Sequence, residues 1–144
     1  MVTIMAKPKI KKTKANKAKE KKKQIKRCDK LWSEIVKHLW NNKCAIEGCD
    51  RAGLSAHHFF GKKAHPSTRY DINNGVYLCF YHHIQKCHRE NDTEPVRQAL
   101  IGRIGKEFEK LYQRSNKISE HTLDEQEAIL NSIWSHIEEI KGNI

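Results

Sequence analysis

Apolar residues are unevenly spread along the chain, and their period changes as it proceeds. In "CDKLWSEIVKHLWNN", Cys28 to Asn42, the residues Leu31, Trp32, Ile35, Val36, Leu39 and Trp40 recur every three or four positions. That spacing predicts an amphipathic helix over residues 28–42, with its aromatic positions in the core and Asn41-Asn42 as its stop. Over residues 43–90 the helical period disappears. The short apolar pieces "GLSAHHFF" and "GVYLC" are bounded by Gly, Pro, Asn and Asp and read as two strands, with Asn73-Asn74-Gly75 giving turn chemistry before the second. A helix is expected from Phe80 to about Asn91. Residues 91–144 return to helical spacing. "TEPVRQALIGRIGKEFEKLYQ" has Pro95 early and a stripe through Val96, Leu100, Ile104, Phe108 and Leu111/Tyr112. The last segment has a capping box, Thr122 with Glu125, and a stripe through Leu123, Ile129, Leu130, Ile133, Trp134, Ile137 and Ile140, with Gly142 just past its end. These stripes can pack on the core or form the seam of a homo-oligomer. The expected class is α+β.

Charge changes this picture at the N-terminus. Residues 1–27 hold eleven lysines and Arg27 against a single acid, Glu20, a net +11 that equals the formal charge of the whole 144-residue chain. Residues 28–144 are therefore neutral overall. The segment reads as a disordered or conditionally helical tail: a solubilising segment, or a polybasic arm that follows nucleic-acid phosphates in a salt-sensitive way. It has too little apolar surface to favour a membrane-surface helix. No apolar run is long enough to span a bilayer, and the N-terminus lacks a secretory signal, so a soluble cytoplasmic protein is expected. Five cysteines, an odd number, favour metal binding over disulfides in such a compartment.

Cysteine and histidine concentrate in residues 43–90. Cys44 and Cys49 form a C-x4-C pair with Gly48 able to make the tight turn, and Cys79 and His82 form a C-x2-H pair about 30 residues on. Two short-spaced pairs predict a structural Zn2+ site, because two donors from one loop can each reach an ion about 2.3 Å away. His57, His58, His83, Cys87 and His88 are then left over. Neighbours on a strand point to opposite faces, so His57 and His58 should divide their work, one as a ligand and one as a base. His83 follows a zinc ligand and is free to face a second site.

The run "AHHFFGKK…RYDINNGVYLCFYHH…H" resembles the HNH endonuclease family, in particular its small phage-type members with a zinc knuckle. The resemblance covers roughly residues 43–112. It implies a zinc-stapled ββα-metal core over residues 43–90, flanked by amphipathic helices, and a metal-dependent endonuclease that hydrolyses phosphodiester bonds of DNA. By position it makes His57 and His83 ligands of one catalytic divalent cation (Mg2+, Mn2+, Ni2+ or Zn2+), His58 the general base, and Asn74 the residue that ties the loop beside the base. Cys44, Cys49, Cys79 and His82 match the zinc knuckle, with His82 standing where the family usually has cysteine. The last catalytic ligand departs from the pattern. The family places it four residues after His83, which is Cys87 here, whereas His88 lies five after. On an α-helix four residues turn about 400° and five about 500°, which favours Cys87. Ligand chemistry toward Mg2+ or Mn2+ favours His88. His88 is the expected ligand, with Cys87 its alternative. Lys62, Lys63 and Arg69 are candidates for phosphate contacts or for a solvated loop. Two rival readings are a zinc-stabilised DNA-binding module that does not cut, and an adaptor acting through its C-terminal helices.

Overall fold

The computed structural model describes Lys11 and residues 13–142 of the chain. Among them are four α-helices, α1 (Lys14–Leu39), α2 (Glu94–Ile104), α3 (Glu107–Ser115) and α4 (Leu123–Gly142). A π-helix (Tyr81–Arg89) and a two-stranded antiparallel sheet, β1 (Ser55–His58) and β2 (Gly75–Leu78), complete the α+β fold. Short 3-10 turns at Pro66–Thr68 and Ile72–Asn74 lie on the connection between the strands. No helix among the described residues is long and apolar enough to cross a membrane.

α1 differs most from its expected bounds. It begins at Lys14, inside the lysine-rich segment, rather than at Cys28. Thr13 caps it by accepting a hydrogen bond from the Asn16 amide at 3.2 Å. Lysine has good helix propensity, so the helix continues through positions that carry no apolar stripe. The stripe marks where burial begins, not where the helix does. Residues 1–10 and Lys12, the rest of that segment, lie outside the described residues. Beyond Leu39 the backbone of Asn41 and Asn42 turns left-handed, φ 54° and 58°, as their composition predicts for a stop.

Cys28, Trp32, Ile35 and Val36 of α1 are buried against Tyr70, Tyr77 of β2, and Leu130 and Ile137 of α4. This is one half of the core. The other half joins Val76 and Leu78 of β2 to Cys87, Val96, Leu100 and Leu111. β2 is buried along its whole length, and the alternation of its side chains feeds Tyr77 to one half and Val76 and Leu78 to the other. The register pairs Ser55 with Leu78, Ala56 with Tyr77, His57 with Val76 and His58 with Gly75. Ala56 and His58 therefore share the α1 face of β1, and His57 lies on the opposite face.

The expected helix through residues 93–113 is two helices. Gly105 adopts φ 54°, ψ −122°, a conformation closed to residues with a Cβ, and the chain turns there between α2 and α3. Leu111 is fully buried while its neighbour Tyr112 is half-exposed. Gly142 is the last residue of α4 rather than the residue after it. The stripe of α4 packs on α1 within the chain, with Ile129 and Ile140 left at its exposed edges.

Gly75 makes this packing feasible. A Cβ there would collide with Val36 Cγ2 and press on the Trp32 ring, which sits directly behind the sheet. Gly75→Ala is expected to destabilise the fold by about 1–3 kcal/mol, the usual cost of overpacking, as read by urea denaturation.

Candidate metal centres

Two groups of metal-ligating side chains form among the described residues. In the first, the donor atoms of Cys44, Cys49, Cys79 and His82 all lie within 4.8 Å of one another and could hold one metal ion. The loop carrying Cys44 and Cys49 turns at Gly48, φ 79°, and is fastened to β2 by the Ala45 amide donating to the Tyr77 carbonyl at 2.8 Å. Cys79 directly follows β2, and His82 lies in the first turn of the π-helix. Their side chains meet with His82 Nδ1 3.2 Å from Cys79 Sγ and 3.4 Å from Cys44 Sγ. Burial pushes the Cys44 thiol up to about 11. Burial also acts on Cys79, but donors around its sulfur, beginning with the His82 amide, outweigh it and hold that thiol below its ordinary value. An ion entering this site displaces protons, so its affinity falls as pH is lowered. All five cysteines are free thiols, and none forms a disulfide.

The second group is His57, His83 and His88, again with donor atoms within 4.8 Å of one another. His57 comes from the outer face of β1, and His83 and His88 come from the π-helix. His83 Nε2 and His88 Nε2 are 3.0 Å apart, and the His57 ring meets both edge-on at 5.2 and 5.7 Å between centroids. The expected α-helix from Phe80 would have brought Cys87, not His88, round to His83. The observed helix is wider. Its i→i+5 ladder, seen where the Glu90 amide donates to the Gln85 carbonyl at 3.0 Å, brings residues five apart onto one face. Cys87 is turned instead into the core against β2, α2 and α3, where burial raises its thiol pKa. Burial, and then the neighbouring histidines, lower the pKa of His57 to about 4 and also lower that of His83. The cluster thus disfavours protons on these rings and keeps their lone pairs ready for a cation.

His58 lies beside this cluster but not in it. Its ring stacks on Trp32 with centroids 3.9 Å apart and planes 6° from parallel. Its Nε2 is 2.9 Å from the Arg69 carbonyl oxygen. A carbonyl only accepts, so Nε2 carries the proton and Nδ1 carries the lone pair. Burial lowers the His58 pKa, assisted by the positive charges of Lys62 and Arg69, against the opposing effect of the Arg69 hydrogen bond.

Asn74 is fully buried and spends its amide on the connection between the strands. It accepts from the Phe60 amide at 2.8 Å and donates to the carbonyls of Phe60 and Thr68 at 3.0 and 3.1 Å. It thereby joins the exit of β1 to the segment whose next carbonyl, that of Arg69, holds His58. The three basic candidates part company here. Lys62 and Lys63 are exposed. Arg69 is not in a solvated loop: its guanidinium is engaged by Asp29 of α1 through two bonds, 3.0 and 2.8 Å. Asp29 and Trp32 are the residues around His58 that sequence patterns missed. The helix stripe places Trp32 in the core, and a lone Asp carries no signal of its partner.

No family model, no curated protein and no solved structure matches the chain.

Two outcomes follow from this geometry. Cys49→Ser should lower the content of tightly bound metal and the melting temperature together, because metal binding is coupled to folding; unchanged values of both would remove the first site. In a Mn2+ titration followed calorimetrically, His88→Ala should weaken binding by about 10-fold or more, whereas Cys87→Ala should cost mainly stability through its cavity. The reverse order would show that the wider helix does not persist with a metal bound.

Proposed function

We propose that the protein is a metal-dependent endonuclease of HNH type that hydrolyses phosphodiester bonds of DNA. The observation that carries this reading is the convergence of His57, His83 and His88 beside an imidazole, His58, whose lone-pair nitrogen is left free by the Arg69 carbonyl. The order of the parts, two antiparallel strands followed by a helix carrying the last histidines, agrees with the resemblance in residues 43–112.

The Cys44, Cys49, Cys79 and His82 site is a structural zinc site in this reading. Three thiols and one imidazole suit zinc, and four such donors are the number a structural zinc site would take. It fixes the end of β2 and the start of the π-helix to the loop before β1. His57, His83 and His88 would hold one divalent cation. Bound there, such a cation acts as a Lewis acid on the phosphoryl group and stabilises charge on the leaving oxygen.

The remaining steps belong to the chain. A phosphodiester lying across the end of β1 reaches His58 on one side and the three-histidine cluster on the other. His58 Nδ1 takes a proton from the attacking water, a role open to it only while the ring is neutral. Burial lowers its pKa and so favours the neutral ring at physiological pH, and activity is expected to fall as pH drops and the ring is protonated. Asn74 holds the loop that orients the base and does not touch the scissile bond. Lys62, exposed and near enough to His58 to lower its pKa, would meet a substrate phosphate in this reading. The lysines on the N-terminal half of α1 add attraction for the polyanion without base readout.

His58→Ala separates a base from a ligand. In plasmid nicking with Mg2+, Mn2+, Ni2+ or Zn2+ and an EDTA control, cleavage should fall by about 10²–10⁴-fold, with metal content and DNA affinity nearly intact. His57→Ala or His83→Ala should lose cation binding along with activity. Full activity of His58→Ala would remove the mechanism. A wild-type protein that binds DNA but cleaves with none of these metals would leave a DNA-binding module in its place.

A further inference from the structure

We propose that Asp29 and Arg69 are positioning residues for His58, together linking α1 to the imidazole and fixing its orientation and tautomer. This rests on the reading of His58 as the base. Arg69 is bonded at both ends. Its guanidinium makes paired bonds to Asp29, Nε to Oδ1 at 3.0 Å and Nη2 to Oδ2 at 2.8 Å. Its main-chain carbonyl accepts from His58 Nε2 at 2.9 Å. A two-bond contact between guanidinium and carboxylate defines a plane as well as a distance, so it restrains rotation of the residue that carries the carbonyl.

The peptide before it is restrained independently. Thr68 is fully buried and its carbonyl is held by Asn74 at 3.1 Å. Of two successive carbonyls, the first is thus secured from β2's end of the connection and the second is aimed at His58. Trp32 lies three residues after Asp29, on the same side of α1, and forms the floor under the His58 ring. Its own indole is fixed by Nε1 donating to the Asp71 carbonyl at 2.9 Å. One turn of α1 therefore restrains the imidazole in two directions, through its face by Trp32 and in its plane by Asp29 and Arg69.

Both side chains are partly exposed, 26% for Arg69 and 34% for Asp29, so the pair reaches solvent as well as the fold and its place beside His58 matters more than its burial. Orientation explains that place. A carbonyl aimed at Nε2 selects the tautomer protonated there and reserves Nδ1 for the proton from water. If Asp29 releases Arg69, the peptide can rotate and the ring can populate the other tautomer or turn on Trp32. The competent fraction then falls, while the metal ligands and the exposed lysines are unaltered. The loss appears in kcat rather than in KM.

The test uses the full chain with Mn2+ and a labelled DNA duplex. Asp29→Ala and Arg69→Ala should each lower kcat by roughly 10-fold, the order of losses seen when groups orienting a reactive side chain are removed. KM should stay within about twofold. Asp29→Glu should recover most of the rate, because it can remake the pair, and Asp29→Asn should fall between. A rise in KM at constant kcat for Arg69→Ala would instead make Arg69 a phosphate contact and overturn the proposal. Nitrogen NMR of 15N-histidine protein supplies a readout independent of cleavage. His58 should show one neutral tautomer, protonated at Nε2, in the wild type and a mixture in Asp29→Ala. An unchanged tautomer in that variant would also overturn the proposal. If the wild type cleaves no DNA, the reading of His58 as a base fails, and the NMR comparison alone decides whether the pair positions the ring.

Discussion

The pairing register of β1 on β2 is the constraint from which both faces of the site derive. Neighbouring residues of a strand point to opposite faces, so a slip of one residue would carry His57 to Trp32 and His58 to the π-helix. Nothing in a four-residue strand fixes its register alone. Gly75 does so from across the ladder, because only a residue without a side chain lets Trp32 and Val36 approach the sheet where His58 pairs. Asn74, one residue earlier, fixes the exit of β1 by bonding both polar groups of the Phe60 backbone. Leaving those groups unpaired in the interior would cost about 1–3 kcal/mol each, which makes alternative registers expensive.

The site is built on a divided core. β2 has apolar neighbours on both faces, but its four residues cannot by themselves hold α1 and α4 on one side and the π-helix, α2 and α3 on the other. Polar ties do part of that work. Trp40 Nε1 donates to the Gly75 carbonyl, and Arg114 at the end of α3 pairs with Asp71 at 2.8 Å. His65 and Ser67 bond the last carbonyls of α3, those of Ser115 and Arg114. The connection between the strands is thereby fastened from both halves of the molecule. A metal held by Cys44, Cys49, Cys79 and His82 would add the tie these bonds lack, between the start of the π-helix and the loop after α1. In such a small protein, that binding energy is folding energy.

α1 unites parts that the charge pattern had separated. Residues 14–27 of the lysine-rich segment and the amphipathic stripe form one helix, and its two halves have different neighbours. Near the boundary, Gln24 and Arg27 bond Asp124 and Glu127 at the start of α4, where acidic side chains also suit the positive end of that helix. Further along, Trp32 stacks on the proposed base and Asp29 holds Arg69, whose carbonyl meets it. The lysines from Lys14 to Lys26 and the residues that hold His58 and Arg69 are therefore carried by one helix.

Local chemistry alone determined the two strands and the first donor set. The spacing of Cys44, Cys49, Cys79 and His82 named four residues that do converge, and the strands, the Asn41-Asn42 stop and the stripe of α4 were legible for the same reason. Each depends on residues close together in the chain. Tertiary structure decided what depends on distant partners. The stripe from Val96 to Tyr112 did not reveal that Gly105 would break it, because a glycine inside a helical pattern becomes a turn only when packing on both sides requires one. An ideal helix favoured Cys87 over His88. Burying Cys87 among Val96, Leu100 and Leu111 while His83 and His88 both face His57 requires a wider turn, and the π-helix supplies it. Arg69 looked like a residue open to solvent until the fold brought it to Asp29, forty residues earlier in the chain. Sequence periodicity records which side of an element is buried; only the assembled core sets which residues meet there, because that depends on the volume and hydrogen bonding of partners that no local pattern encodes.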